Sequence, residues 1–213
     1  MVISESIQTI IWDWNGTLLN DTHLCVEIIN RLLAKRNLPL LDSQRYREVF
    51  TFPVKDYYAE IGFDFGKEPF EIPAREYIDQ YNKALENCPL HNRVTDVLQR
   101  FQSMGKQQLI LSAMEQPVLE KHLQQHRVDH FFDEVSGLDN HYAHSKTNNG
   151  KALMQRLGLH PNKTCLIGDT IHDFEVAQEL GCLCILIANG HQSEKRLKKT
   201  GCDILNDIAA LLD

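Results

Sequence analysis

The 213-residue chain is 43% hydrophobic and 24% charged, a globular balance that excludes a disordered or fibrous protein. Its net charge of −7 excludes a protein built to hold nucleic acid or anionic membrane through clustered Lys and Arg. No apolar stretch reaches the ~20 residues that span a bilayer, and no basic run leads into an apolar segment, so the chain is expected to be soluble, unexported and cytoplasmic. The six cysteines include no C-x-x-C pair and are expected to be reduced, partly buried thiols.

Ile7, Ile10, Ile11 and Trp12 form a short apolar run that stops at Asp13-Trp14-Asn15-Gly16-Thr17, the pattern of a buried strand entering a tight turn. From about Leu19 to Pro89 the pattern is helical, with Cys25, Ile28, Ile29, Leu32 and Leu33 on one face and Tyr77, Tyr81 and Leu85 on another. Pro53 and Pro73 punctuate it. Its tyrosines, Tyr57, Tyr58, Tyr77 and Tyr81, read as an exposed face able to pack against a partner, and the chain is expected to be a monomer or a homodimer. After this stretch strand and helix alternate. Val94 to Met104 precedes a strand over Gln108 to Leu111, Leu153 and Leu157 precede one over Thr164 to Ile167, and Phe174 to Leu180 precedes one over Cys182 to Ile187. Gly105, Gly158 and Gly181 follow the helices where left-handed caps are wanted. Strands that are apolar throughout indicate a parallel sheet covered on both faces. The expected fold is α/β, a Rossmann-like parallel core of residues 1–18 and 90–213 with a small helical cap of residues 19–89. Inserted after the first strand, the cap lies over the carboxyl ends of the strands, where open α/β sheets bind ligands.

Four separated pieces place phosphate-competent residues at those ends: Asp13 with Asn15, Gly16 and Thr17; Ser112; Lys146; and Gly168-Asp169 with Asp173. A carboxylate attacks phosphorus only where the repulsion between two anions is offset, which a hard divalent cation and a lysine achieve. Asp13, Asp169 and Asp173 offer oxygen ligands for Mg²⁺. Ser112 and Lys146 suit the remaining phosphoryl oxygens, with backbone N–H groups at and beyond Gly16 and Thr17 as an anion cradle. Taken singly, Asp-x-x-x-Asp after a strand also reads as a helix cap. The ordered set is what carries specificity.

In IIWDWNGTLLND, LILSA, SKTNNGKAL and CLIGDTIHDFEVAQELGC the chain resembles the haloacid dehalogenase-like superfamily, in particular its phosphoglycolate phosphatase-like branch. The resemblance implies a Mg²⁺-dependent phosphatase acting on a small phosphorylated substrate. It casts Asp13 as nucleophile, the Asn15 main-chain carbonyl as a metal ligand, Ser112 and a lysine as phosphate binders, and Asp169 and Asp173 as metal-site acids. Lys146 and Lys151 both precede the same helix, and the spacing to Asp169 favours Lys146.

Phosphatases of this superfamily usually carry Asp where this chain has Asn15, and an amide cannot pass a proton. His172 or a residue of the helical segment is a candidate substitute. The departure leaves three other readings open: a phosphonoacetaldehyde hydrolase using Lys55 as a Schiff base, a metal-independent dehalogenase, and a phosphate-binding protein with weakened catalysis. His122, His126 and His130 stand four apart and invite a zinc reading, which lacks further ligands at local spacing. His141 and His144 flank Tyr142 before Lys146, and His191 follows the last clear strand as a rim residue.

Overall fold

Strand β1 (Thr9–Trp12) is buried at every residue, because other strands flank both its edges and helices cover both its faces. The computed structural model describes residues 3–138 and 146–212. Its sheet adds β2 (Gln107–Glu115), β3 (Glu134–Leu138), β4 (Thr164–Gly168), β5 (Leu183–Ile187) and β6 (Asp203–Leu205). All six are parallel, in the order β3-β2-β1-β4-β5-β6. The connections from β1 therefore run outward in opposite directions, which opens a crevice beyond the carboxyl ends of β1 and β4.

Alternation along the strands explains why they are apolar throughout. Ile10, Trp12, Ile110, Cys165, Ile167, Ile185 and Ile187 face one core layer, and Ile11, Leu109, Leu111 and Leu166 face the other. The second layer is closed by α7 (Lys146–Arg156) and α8 (Ile171–Leu180) through Leu153, Met154, Val176, Ala177 and Leu180. The first is closed by α5 (Val94–Ser103) and α6 (Gln116–Gln125) through Val97, Leu98, Phe101, Leu119 and Leu123. Full burial of a large apolar side chain contributes roughly 1.5–3 kcal/mol, so a polar substitution on either layer removes several contacts at once.

Two strands lie outside the expected set. β3 and β6 are the edge strands and are only partly buried, so neither shows a continuous apolar run. β2 also runs past the expected stop at Leu111, with a register shift against β3 between Leu111 and Glu115.

The segment before α5 holds α1 (Thr22–Lys35), α2 (Ser43–Val49), α3 (Val54–Glu60) and α4 (Glu71–Ala84). It leaves and rejoins the sheet at one seam. Leu19 bridges Leu90 in antiparallel fashion, the Asn20 N–H donates to the Pro89 carbonyl (2.9 Å), and the His91 N–H donates to the Leu18 carbonyl (2.9 Å). Arg47 of α2 ties the segment to the loop after β5, donating to the carbonyls of Gly190 (2.9 Å) and Asn189 (3.0 Å).

The tyrosines expected to form an exposed face do not. Tyr57, Tyr58 and Tyr81 are buried and Tyr77 is half-buried, all turned inward onto a shared cavity. Sequence periodicity places them on helices but not toward a neighbour, and burial of so many rings is the outcome that removes most apolar area from water. Among the described residues, no helix is long and apolar enough to cross a membrane.

Candidate active site

The turn after β1 is set by Gly16, whose φ of +74° is left-handed. A Cβ there would also stand 2.5 Å from His191 Cδ2 and 2.8 Å from Asp169 Cγ. Asp13 thus emerges from a strand that is still hydrogen-bonded, its N–H on the Ile167 carbonyl at 2.9 Å, and turns its side chain into the crevice.

Three carboxylates meet here. Asp13, Asp169 and Asp173 are buried, and an oxygen from each lies within 4.8 Å of the other two. Lys146, the first residue of α7, is buried between them and forms ion pairs with Asp13 and with Asp173 (2.5 Å). Thr17 Oγ1 donates toward Asp13 Oδ2 (3.1 Å) and Asp169 Oδ1 (3.2 Å). Asp173 also completes the capping box of α8, accepting from the Thr170 hydroxyl (2.7 Å) and N–H (3.0 Å). Asp173 therefore both caps α8 and joins the carboxylate trio.

One buried lysine against three buried acids leaves excess negative charge. Burial pushes the Asp169 carboxyl up to about 8, further than His191 opposes, and Asp13 and Asp173 add to the rise. Burial likewise lifts Asp13 to about 6 despite Lys146. Asp173 stays below the usual carboxylate range, because Lys146 and Thr170 outweigh its burial. A hard cation fits such an oxygen donor set: it would neutralise the excess that the protein leaves uncompensated.

Beside this trio lies a second buried network that the sequence reading did not find. Asp21, 1% exposed, accepts from the Gly16 N–H (2.8 Å), Asn15 Nδ2 (3.0 Å) and the Tyr81 hydroxyl (2.6 Å), and it pairs with His191 Nε2 at 3.2 Å. Burial alone would raise Asp21, but His191, Tyr81 and Asn15 together bring it to about 2. Burial opposes charge on His191 too, yet Asp21, Asp169 and Asp13 raise its imidazolium to about 9. The pair is ionised at neutral pH. His191 is thus an interior residue rather than a rim residue; its N–H also donates to Asp169 Oδ2 (2.5 Å), and its Nδ1 meets the Tyr46 hydroxyl at 3.0 Å.

Asn15 sits where both groups meet. Its amide nitrogen donates to Asp21 and to the Tyr81 hydroxyl (2.7 Å), so its two amide protons are both engaged. The Gly16 N–H is taken by Asp21 and by the Leu19 carbonyl (2.9 Å), leaving Gly16 as a turn residue in any anion cradle.

Other expected site residues separate cleanly. Ser112 is fully buried at the irregular point of β2 and its Oγ accepts the Met114 N–H (3.1 Å); the cavity wall there is formed by Ala113 and Met114. Lys151 is exposed on α7 and pairs with Glu179 at 2.7 Å, so Lys146 is the lysine brought to the carboxylates. Lys55 is exposed, lies over the Phe65 ring and does not line the cavity. A Schiff-base role needs a desolvated amine facing substrate, and Lys55 has neither property. His172 is half-buried, faces Glu175 at 3.4 Å and lies against Phe52. His122, His126 and His130 do not share a helix, because α6 ends at Gln125 and His130 falls in a separate short turn. His141 and His144 lie outside the described residues.

Fold and site together define a doubly wound α/β protein with an acidic, single-lysine centre at its switch point. The chain belongs to the haloacid dehalogenase-like hydrolase family, whose model matches residues 10–187. It is 22% identical to an N-acetylmuramic acid 6-phosphate phosphatase of Pseudomonas aeruginosa, over 94% of this chain and 91% of that one. It is 26% identical to a phosphoglycolate phosphatase of Aliivibrio fischeri, over 95% and 93%. A haloacid dehalogenase-like hydrolase from Streptococcus pneumoniae superposes with a TM-score of 0.84 at 22% identity, covering 98% of each chain.

Proposed function

We propose that the protein is a Mg²⁺-dependent phosphatase that hydrolyses a small phosphate monoester through an aspartyl-phosphate on Asp13. The observation that carries this reading is the trio Asp13, Asp169 and Asp173 around Lys146 at the carboxyl ends of β1 and β4. Asp13, the Asn15 carbonyl, Asp169 and Asp173 would hold the metal, which supplies charge neutralisation for the phosphoryl oxygens. Lys146 holds the Asp13 carboxylate in place and offers its positive charge to the entering phosphoryl group. Thr17 orients Asp13 and Asp169 relative to each other. Ser112 supports the irregular end of β2 that carries Ala113 and Met114 to the cavity wall. In the same reading, residues 19–89 form a cap over a core of residues 1–18 and 90–213. The names of the two relatives support a phosphorylated substrate.

Chelation is expected to remove turnover and Mg²⁺ to restore it. Asp169→Asn should need at least about tenfold more Mg²⁺ for half-maximal rate, since it loses one charged ligand. Mg²⁺ is expected to raise the Tm of the wild type, and the same variant should lose that rise. Full wild-type activity in metal-free buffer would overturn the metal assignment.

The network around Asn15 sets a further expectation. Asn15→Asp would place a second carboxylate at hydrogen-bond distance from Asp21, where two ionised groups cannot coexist without cost. We expect a loss of roughly 1–3 kcal/mol at neutral pH, read from urea unfolding, and no selective gain in kcat/KM on alkyl phosphates. A large alkyl-selective gain would show instead that Asn15 is a deleted acid in an otherwise unaltered site.

A further inference from the structure

We infer that the leaving group of the substrate is an uncharged aromatic alcohol, a phenol or an enolised ring, seated in the aromatic cavity beside Asp13. This deepens the phosphatase reading above and rests on it.

Three observations converge. The cavity that opens on Asp13, Lys146, Asp169 and Asp173 measures about 230 Å³. A cavity of roughly 150 Å³ holds benzene, so this one takes a single ring with room for a phosphoryl group, whereas nucleotides and larger glycosides need more.

Much of its wall is aromatic. Tyr46, Phe50, Tyr57, Tyr58, Tyr77 and Tyr81 line it. Their rings already pack edge-to-face, Tyr46 with Tyr57 at 5.8 Å and 87°, and Phe50 with Tyr57 at 5.3 Å and 67°, the geometry that a further ring extends. Among the described lining residues the cationic candidates are Lys146, His172 and His191, and each faces a carboxylate of the protein: Asp13 and Asp173, Glu175, and Asp21. A second anionic group on the substrate, such as the carboxylate of phosphoglycolate or the second phosphate of pyrophosphate, would be desolvated there against rings and acids.

The third observation is chemical and independent of shape. With its amide protons on Asp21 and Tyr81, Asn15 neither transfers a proton to the leaving oxygen nor donates a hydrogen bond to it. With Asn15 unable to protonate it, that oxygen leaves most readily as a stable anion. As the Asp13 oxygen forms its bond to phosphorus, the ester P–O bond breaks and its electron pair leaves on a phenolate, which water then protonates. A second water attacks phosphorus, releases inorganic phosphate with its proton passing to solvent, and restores the Asp13 carboxylate. Aryl esters meet this requirement and simple alkyl esters do not.

The test uses the full-length protein with Mg²⁺ and compares phenyl phosphate, 4-carboxyphenyl phosphate, phosphoglycolate and acetyl phosphate. Phenyl phosphate is expected to exceed phosphoglycolate in kcat/KM by at least about tenfold. The added carboxylate of 4-carboxyphenyl phosphate, whose leaving group is a comparable phenol, should raise KM by about tenfold. Ile78→Lys, which sets a cation in the cavity wall, should narrow that gap by lowering KM for the carboxylated ester. Phosphoglycolate turned over as well as phenyl phosphate, or a carboxylated ester bound equally well by the wild type, overturns the inference and leaves the phosphatase reading standing. No turnover of any of the four compounds, acetyl phosphate included, overturns the phosphatase reading. Calorimetry with phenylphosphonate against phosphonoacetate then judges the cavity by itself: tighter binding of the aromatic ligand supports it, and equal or reversed affinities overturn it.

Discussion

Asp13→Asn is expected to reduce turnover by at least about 10⁴-fold while leaving the fold in place. The amide keeps the shape of the carboxylate; its one oxygen can face Lys146 while its NH₂ donates to the Thr17 hydroxyl oxygen, so packing around the turn survives. What disappears is the nucleophile, because an amide oxygen does not form a stable acyl phosphate. Far-ultraviolet circular dichroism and urea unfolding check the fold. Acid quenching of the wild type during turnover, followed by peptide mass analysis, should find the phosphoryl group on the peptide that contains Asp13. Near-normal kcat in the variant, or the label on another peptide, removes Asp13 from the nucleophilic role.

The second large effect concerns stability. His191→Gln is expected to cost on the order of 3–5 kcal/mol at pH 6.5, because it strands the buried Asp21 carboxylate without its ionic partner. The pH dependence identifies the pair. His191 has its folded value raised from 6.5 to about 9, so its contribution is complete below pH 6.5 and is lost as pH rises through 9. Asp21 is lowered from 3.8 to about 2, so its contribution is complete above pH 3.8 and is lost as pH falls through 2. The difference in unfolding free energy between wild type and His191→Gln should therefore be largest between about pH 4 and 6.5 and shrink toward pH 9. A difference that is flat from pH 6 to 9 would mean that His191 is uncharged in the folded protein.

What was legible in the sequence had local causes. Asp13 follows an apolar run and precedes a glycine turn, and Gly181 terminates a helix in the left-handed conformation, so short windows suffice to place both. Alternating strands and helices announced a parallel sheet, and the helical stretch between Leu19 and Pro89 was visible as an interruption. Asp21 was not legible because its local signal points elsewhere. It stands before α1 where an N-cap is expected, yet it makes no capping bond and turns back to the Gly16 N–H instead. Tyr46 and Tyr81 were hidden for a different reason: their hydroxyls meet His191 and Asp21 across long sequence separations that no periodicity encodes. The edge strands β3 and β6 escaped because one-sided pairing asks less of their side chains.

The seam at Leu19 and Leu90 bears on how such a protein changes over time. Chain departs from the sheet and returns to it at paired residues, so the length and make-up of what lies between do not alter the register of β1 or β2. Insertions are tolerated where the two ends already lie together, since closing the loop costs little more when it grows. On the proposed reading, substrate preference can therefore drift through residues 19–89 while the carboxylates and Lys146 stay fixed. The freedom has a limit in this chain. Asp21, Tyr46 and Tyr81 arrive with the insert but bond to Gly16, Asn15 and His191 of the sheet loops, so a transplanted insert that lacks them would leave a buried imidazolium and an amide without partners. Lineages that exchange this insert are expected to exchange Asn15 and His191 with it.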